Sequence, residues 1–188
     1  DLGLDKKRIG IDYDSFFLRT RDEKRLTASL SEATFVDGAG LVERGRVVKS
    51  AQEIEYIRHA AKAAEAGLKA GIEACRVGVT ENDVAAEAHR AQILAGSEYT
   101  GLPIFIRTGE RDAQTHATWC RTELEPGDSV TMEMPGCINR YHAALYGQVY
   151  LGDPPAELLR GMELGNEVMR KAKEAIRPGV SAGVIHEL

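Results

Sequence analysis

The stretch Thr131–Tyr146 reads TMEMPGCINRYHAALY. It places one carboxylate, Glu133, between Met132 and Met134 in a short apolar run. Pro135-Gly136 reads as a turn, and a second strand follows with Arg140, Tyr141 and His142. The apolar neighbours of Glu133 favour a pocket over a solvated strand edge. A carboxylate in a pocket can hold a cation, or attack an electron-poor carbon and form a covalent intermediate. His116 can activate water or protonate a leaving nitrogen, because imidazole titrates near neutral pH. Glu133 and His116 are therefore the candidate catalytic residues. Tyr141 and His142 are candidates for substrate binding, but side chains alternate along a strand, so only one of them can share a face with Glu133. Trp119, close to His116, reads either as packing or as a pocket wall. Arg140 reads as a surface charge, and Asp128 as a turn residue that satisfies backbone amides.

The elements that must position these residues follow from periodicity. Residues 8–13 and 33–37 read as short strands, with a charged helix over 20–30 between them. Residues 38–46, with three glycines, read as a linker. Ser50-Ala-Gln-Glu53 is a capping box that opens a long helix. Ile54, Ile57, Ala61, Ala64, Leu68, Ile72 and Cys75 step by three and four, which predicts one buried stripe. Gly78 stops this helix, and Thr80-Glu-Asn-Asp83 starts another with Val84, Ala88, Ala91 and Leu94 on its apolar face. Residues 100–151 lack such a stripe and read as strands over 102–107, 129–134, 140–146 and 148–151. Pro154-Pro155 opens a further helix carrying Leu159, Met162, Met169, Ala172 and Ile176 on one side.

Composition narrows the function classes. The chain has 188 residues, 43% hydrophobic and 28% charged, which suits a globular protein. A net charge of -5 gives no basic footprint for nucleic acid. No apolar run reaches the ~20 residues that span a bilayer, and no segment reads as a signal peptide. Cys75, Cys120 and Cys137 are odd in number and widely spaced, which predicts free thiols in a reducing cytoplasm. The chain begins at Asp1 rather than Met, so a further N-terminal part is expected.

One phrase recurs. Ala74-Cys-Arg-Val-Gly-Val-Thr80 and Ala175-Ile-Arg-Pro-Gly-Val-Ser181 share Ala, Arg, Gly and Val at an offset of 101 (74 to 175), each followed by a helix cap. A true repeat would make each unit two helices followed by a sheet, complete over about 50–151 and cut short in the second copy.

These features resemble the creatinase/aminopeptidase P family. Val47-Val-Lys-Ser-Ala-Gln-Glu-Ile54 resembles its K-S-x-x-E-I entry to the catalytic domain. Arg76-Val-Gly-Val-Thr-Glu81 resembles its G-x-(T/S)-E link, and Pro126-Gly-Asp128 the turn before the active-site strand. His116 sits where members place a substrate-side histidine. The resemblance implies an α+β pita-bread fold at 49–188, its second repeat incomplete, preceded at 1–48 by the tail of an α/β domain. It also implies a homodimer. Metallopeptidases of the family carry two aspartates, eleven residues apart, that bind two metal ions. Here those positions are Glu133 and Ala144, and alanine has no lone pair for a metal. The site therefore resembles the metal-free members, ectoine hydrolase first and creatinase second, and no cofactor is expected. An amidinium carbon is already electron-poor, and it needs a nucleophile and a proton donor more than a Lewis acid. Two other readings stand beside a metal-free amidine hydrolase: a metal-dependent Xaa-Pro peptidase, and a solute-binding module that has lost its chemistry.

Overall fold

The computed structural model describes residues 3–188. The chain divides into two compact units, one ending at Ile54 and one running Glu55–Leu188. In the first, β1 (Arg8–Ile11) and β2 (Thr34–Asp37) pair in parallel, Arg8 against Thr34 through Ile11 against Asp37. Parallel strands need a crossover, and α1 (Thr20–Ser29) supplies it. The expected linker over 38–46 instead contains α2 (Leu41–Arg46). Gly40, at φ 71°, turns the backbone into it, and the Leu-Val-Glu-Arg that follows sustains a short helix.

The helix α3 (Ala51–Ala74) begins at the predicted capping box. Glu53 Oε2 accepts the Ser50 N–H at 2.6 Å, and Ser50 Oγ accepts the Glu53 N–H at 3.3 Å. Its buried face coincides with the predicted stripe only at Ala64 and, just past the helix end, Cys75. Ala60, Ala63, Ala64, Gly67 and Gly71 are buried, whereas Ile54 and Ile72 are each 41% exposed and Ile57 and Leu68 are half-buried. The reason is close approach to the sheet. A Cβ on Gly136 would collide with the Ala60 carbonyl oxygen, and one on Gly71 would lie 2.9 Å from Met132 Sδ. Only small residues fit that seam, so the bulky stripe is rotated off it. The next helix, α4 (Glu81–Leu94), buries Val84 and Ala88 as predicted, while Leu94 is exposed. Thr80 and Asp83 form its capping box.

The sheet is antiparallel, in the order β3 (Phe105–Thr108), β4 (Ser129–Ile138), β5 (Tyr141–Tyr150). The turn expected at Pro135-Gly136 does not form there. The strand runs straight through, and the chain reverses at Asn139-Arg140, with φ of 49° and 65°. Two left-handed residues are what a tight hairpin requires, because their twist matches that of the strands. Proline is tolerated in β4 because β3 pairs only as far as Glu133. The Pro135 carbonyl faces that vacated side and accepts the Gln92 side-chain amide at 2.8 Å.

Met132, Met134 and Val130 alternate onto the helix side, where they join Val84, Ala88, Ile104, Ile106, Leu124 and Cys75 in one core. Burial pushes the Cys75 thiol up to about 11, so it behaves as an inert core residue. All three cysteines are free.

Beyond the sheet come α5 (Ala156–Ala175) and α6 (Ala182–His186). No residue of α5 is buried. The recurring phrase folds alike in both places. Gly78 and Gly179 have φ of 86° and 88°. The Val79 and Val180 amides donate to Arg76 and Arg177 at 3.2 and 3.1 Å, and Thr80 and Ser181 then cap the next helix. Among the described residues, no helix is long and apolar enough to cross a membrane.

Candidate active site

With Met132 and Met134 on the helix side, alternation turns Glu133 to the opposite face of the sheet. The register sets Phe105 beside it on β3 and Tyr146 beside it on β5. The carboxylate is thus bracketed by two aromatic residues. Its side chain is 25% exposed, open enough for a ligand to reach. Ala144 lies on the same face, opposite Pro135 and diagonal to Glu133.

Two nitrogen-bearing side chains meet the carboxylate, one at each oxygen. His116 Nε2 lies 3.7 Å from Glu133 Oε2. The imidazole stacks on the Phe105 ring, with centroids 4.8 Å apart and planes at 21°. His116 has φ 56°, a conformation seldom adopted by residues with a side chain, and that bend returns its ring to the sheet. On the other side, Arg107 Nη1 lies 3.5 Å from Glu133 Oε1. Arg107 is buried on β3, two residues from Phe105 and therefore on the same face. Its Nε donates to the Asp112 carbonyl at 3.3 Å and faces Asp112 Oδ1 at 3.8 Å. The latter is too long for a hydrogen bond, and Asp112 Oδ1 is buried without one.

A fully buried carboxylate organises the loop that carries His116. Glu81 Oε2 accepts from Arg111 Nη1 at 2.6 Å and from the Cys120 amide at 2.7 Å. One oxygen atom so ties down both flanks of the His116 segment. That gives a structural reason for a glutamate directly after the Thr80 cap.

Glu133 and His116 are brought together, and the other candidates lie elsewhere. Tyr141 faces α3, its ring 5.6 Å from that of Tyr56. His142 does share the face of Glu133, but it pairs with Cys137, four residues along β4, or roughly 13 Å at ~3.4 Å per residue. There it is a structural clamp. Nε2 accepts the Gly101 N–H at 3.1 Å, so the proton resides on Nδ1, which donates to the Arg140 carbonyl at 3.0 Å. Trp119 packs against the core and sits edge-on to His89 of α4, 5.6 Å away. Burial there holds the His89 imidazole below its usual pKa.

Arg107, Asp112 and Phe105 were not among the sequence candidates. A signal for Arg107 was present: it is a charge within an apolar strand, at an even spacing from Phe105.

A model of the metallopeptidase family M24 matches residues 55–188. The chain belongs to this family. It is 30% identical to the ectoine hydrolase of Halomonas elongata over 189 residues, covering 95% of this chain and 47% of that protein. It is 28% identical to the Xaa-Pro dipeptidase of Pyrococcus furiosus over 137 residues, covering 73% and 39%. The X-Pro aminopeptidase of Thermotoga maritima superposes with a TM-score of 0.87 at 22% identity, over 95% of this chain and 50% of that one, which establishes the pita-bread fold. The chain spans about half the length of the curated relatives it matches. An M24 metallopeptidase implies metal ions, but the donors present here do not fit a pair of them. Position 144 offers a methyl group, and Glu133 Oε1 already faces the Arg107 guanidinium. Among the described residues, no three His, Cys, Asp or Glu side chains gather to hold one.

Proposed function

We propose that the protein hydrolyses an amidine-type C–N bond in a small zwitterionic solute, a cyclic amidine such as ectoine first and a guanidino solute such as creatine second. One observation carries this reading: a single carboxylate bracketed by Phe105 and Tyr146, with alanine at the diagonal position. A delocalised cation pairs with the carboxylate and gains from aromatic faces beside it. The ectoine hydrolase relative supports the choice of solute.

The chemistry assigned to these residues balances without a metal. Glu133 adds through Oε2 to the amidinium carbon. One C–N bond breaks, and the departing nitrogen takes a proton from His116, leaving an imidoyl ester on Glu133. His116 then removes a proton from water, which displaces the Glu133 carboxylate and releases an amide. The net reaction is amidinium plus water to amide plus ammonium. The full-length protein is taken to act as a homodimer, with residues 1–48 belonging to a domain that precedes the catalytic one.

The test is incubation of the full-length protein with ectoine and with creatine, following ring opening and urea. Turnover that persists after chelation supports the proposal. Turnover only of an Xaa-Pro dipeptide, lost on chelation and restored by Mn or Co, identifies a peptidase instead. Solute binding without turnover identifies a binding module.

A further inference from the structure

The two oxygens of Glu133 stand in different surroundings. Oε2 looks toward the exposed imidazole of His116, whereas Oε1 looks toward Arg107. Arg107 is only 5% exposed, and its far side is engaged by Asp112 through the backbone carbonyl and the carboxylate. Asp112 in turn belongs to the short 3-10 turn Gly109–Ala113, directly after β3. Asp112, Arg107, Glu133 and His116 therefore form a row that passes through the buried guanidinium and ends at the exposed imidazole. A carboxylate free to rotate would present either oxygen. One whose Oε1 is held by a buried guanidinium presents Oε2 alone.

We propose that Arg107 is the positioning residue of the site: backed by Asp112, it fixes Oε1 and so leaves Oε2 as the oxygen that meets the substrate carbon beside His116. This rests on the reading of Glu133 as the reacting carboxylate. Arg107 does not itself touch substrate, so its effect falls on kcat rather than on KM. Lysine cannot replace it fully, since a point charge on a flexible stem does not span Asp112 and Glu133 as a planar fork does.

The experiment uses the full-length protein with Arg107→Lys, Arg107→Ala, Asp112→Asn and Glu133→Gln, assayed on ectoine. Arg107→Ala is expected to lose about 10²-fold in kcat, the scale of a small misplacement of a reacting group, with KM little changed. Guanidinium ion at sub-denaturing concentration should restore part of that loss. Arg107→Lys should fall between wild type and Arg107→Ala, and Asp112→Asn should shift kcat in the same direction by less. A raised KM at unchanged kcat would overturn the proposal and make Arg107 a substrate-binding group. Unchanged kcat in Arg107→Ala, with Glu133→Gln inactive, would overturn it while leaving the function intact. Thermal melts of the two single variants and of Arg107→Ala/Glu133→Gln test the contact without any substrate. Midpoint losses that fail to add support it, because the double variant removes both charges of the Arg107–Glu133 pair, while the loss of Arg107 from Asp112 is common to the single and double variants. Strictly additive losses overturn it, whatever the enzyme acts upon. Where Arg107→Ala fails to fold, the same cycle is run with Arg107→Lys.

Discussion

Glu133 lies directly opposite Tyr146 across the β4–β5 ladder, while Ala144 faces Pro135. This register follows from the reversal at Asn139-Arg140, and it leaves the carboxylate with aromatic neighbours and no second acid. Glu133→Gln keeps the size of the side chain and removes its charge. In the full-length protein, kcat should fall by about 10⁴-fold or more, the scale of a lost nucleophile, while substrate still binds. Steady-state kinetics with ectoine checks this. A variant with near wild-type kcat would remove Glu133 from the chemistry.

His116 contributes little packing, because its side chain is 62% exposed. His116→Ala and His116→Asn should each lower kcat by about 10²–10⁴-fold. Asparagine tolerates the left-handed backbone at this position, so His116→Asn should melt close to wild type. An unchanged kcat in both variants would exclude the histidine from catalysis.

The opposite pattern is expected of His142. Removing its ring deletes the acceptor for the Gly101 amide and the donor to the Arg140 carbonyl. His142→Ala should cost about 1 kcal/mol of stability per hydrogen bond lost and leave kcat within a few-fold, a split read by a thermal melt run beside the assay.

Glu81 couples stability to activity. Its loss removes the buried anion that Arg111 and the Cys120 amide share, leaving the two flanks of the His116 loop joined only through Arg111 to the Thr118 carbonyl and Cys120 Sγ. Glu81→Ala should destabilise the fold by about 3–5 kcal/mol, as when one partner of a buried ion pair is removed, and should lower kcat even below the melting range. Chemical denaturation and kinetics on the same sample separate the two effects.

Glu98 gives a pH-dependent prediction. The Asn139 amide donates to Oε1 at 2.7 Å, and with Arg140 nearby it holds the carboxyl below its ordinary value of 4.5. A carboxyl depressed on folding stabilises the fold above its unfolded pKa, and that stability is lost as pH falls through the folded value. Glu98→Gln should therefore melt below wild type at neutral pH, and the gap should close as the pH drops past 4.5. A gap that stays constant to low pH would show that the ionised form is not what holds the hairpin.

Much of this architecture was legible in the sequence because it is local. The capping boxes at Ser50 and Thr80 and the recurring glycine turns depend on residues within a few positions of one another. What escaped was set at a distance. Pro135-Gly136 looks like a turn until one knows that β3 stops at Glu133 and that Gly136 must admit the backbone of α3. The bulky stripe of α3 looks buried until the sheet approaches too closely for anything larger than alanine. Arg107 looks like the polar end of a strand until Asp112 and Glu133 converge on it.

Glu133 and His116 are supported in unlike ways. The carboxylate is built into a strand paired on both sides, whereas the imidazole rests on Phe105 from a loop and is largely open to solvent. Exposed side chains change rotamer in picoseconds to nanoseconds, far faster than a ladder shifts. A group that gives a proton to one atom and later takes one from another must serve two addresses. On the proposed mechanism, the jaw that would bond to carbon is fixed and the jaw that would ferry protons is free to travel, so a single histidine could attend both halves of the reaction without the sheet moving.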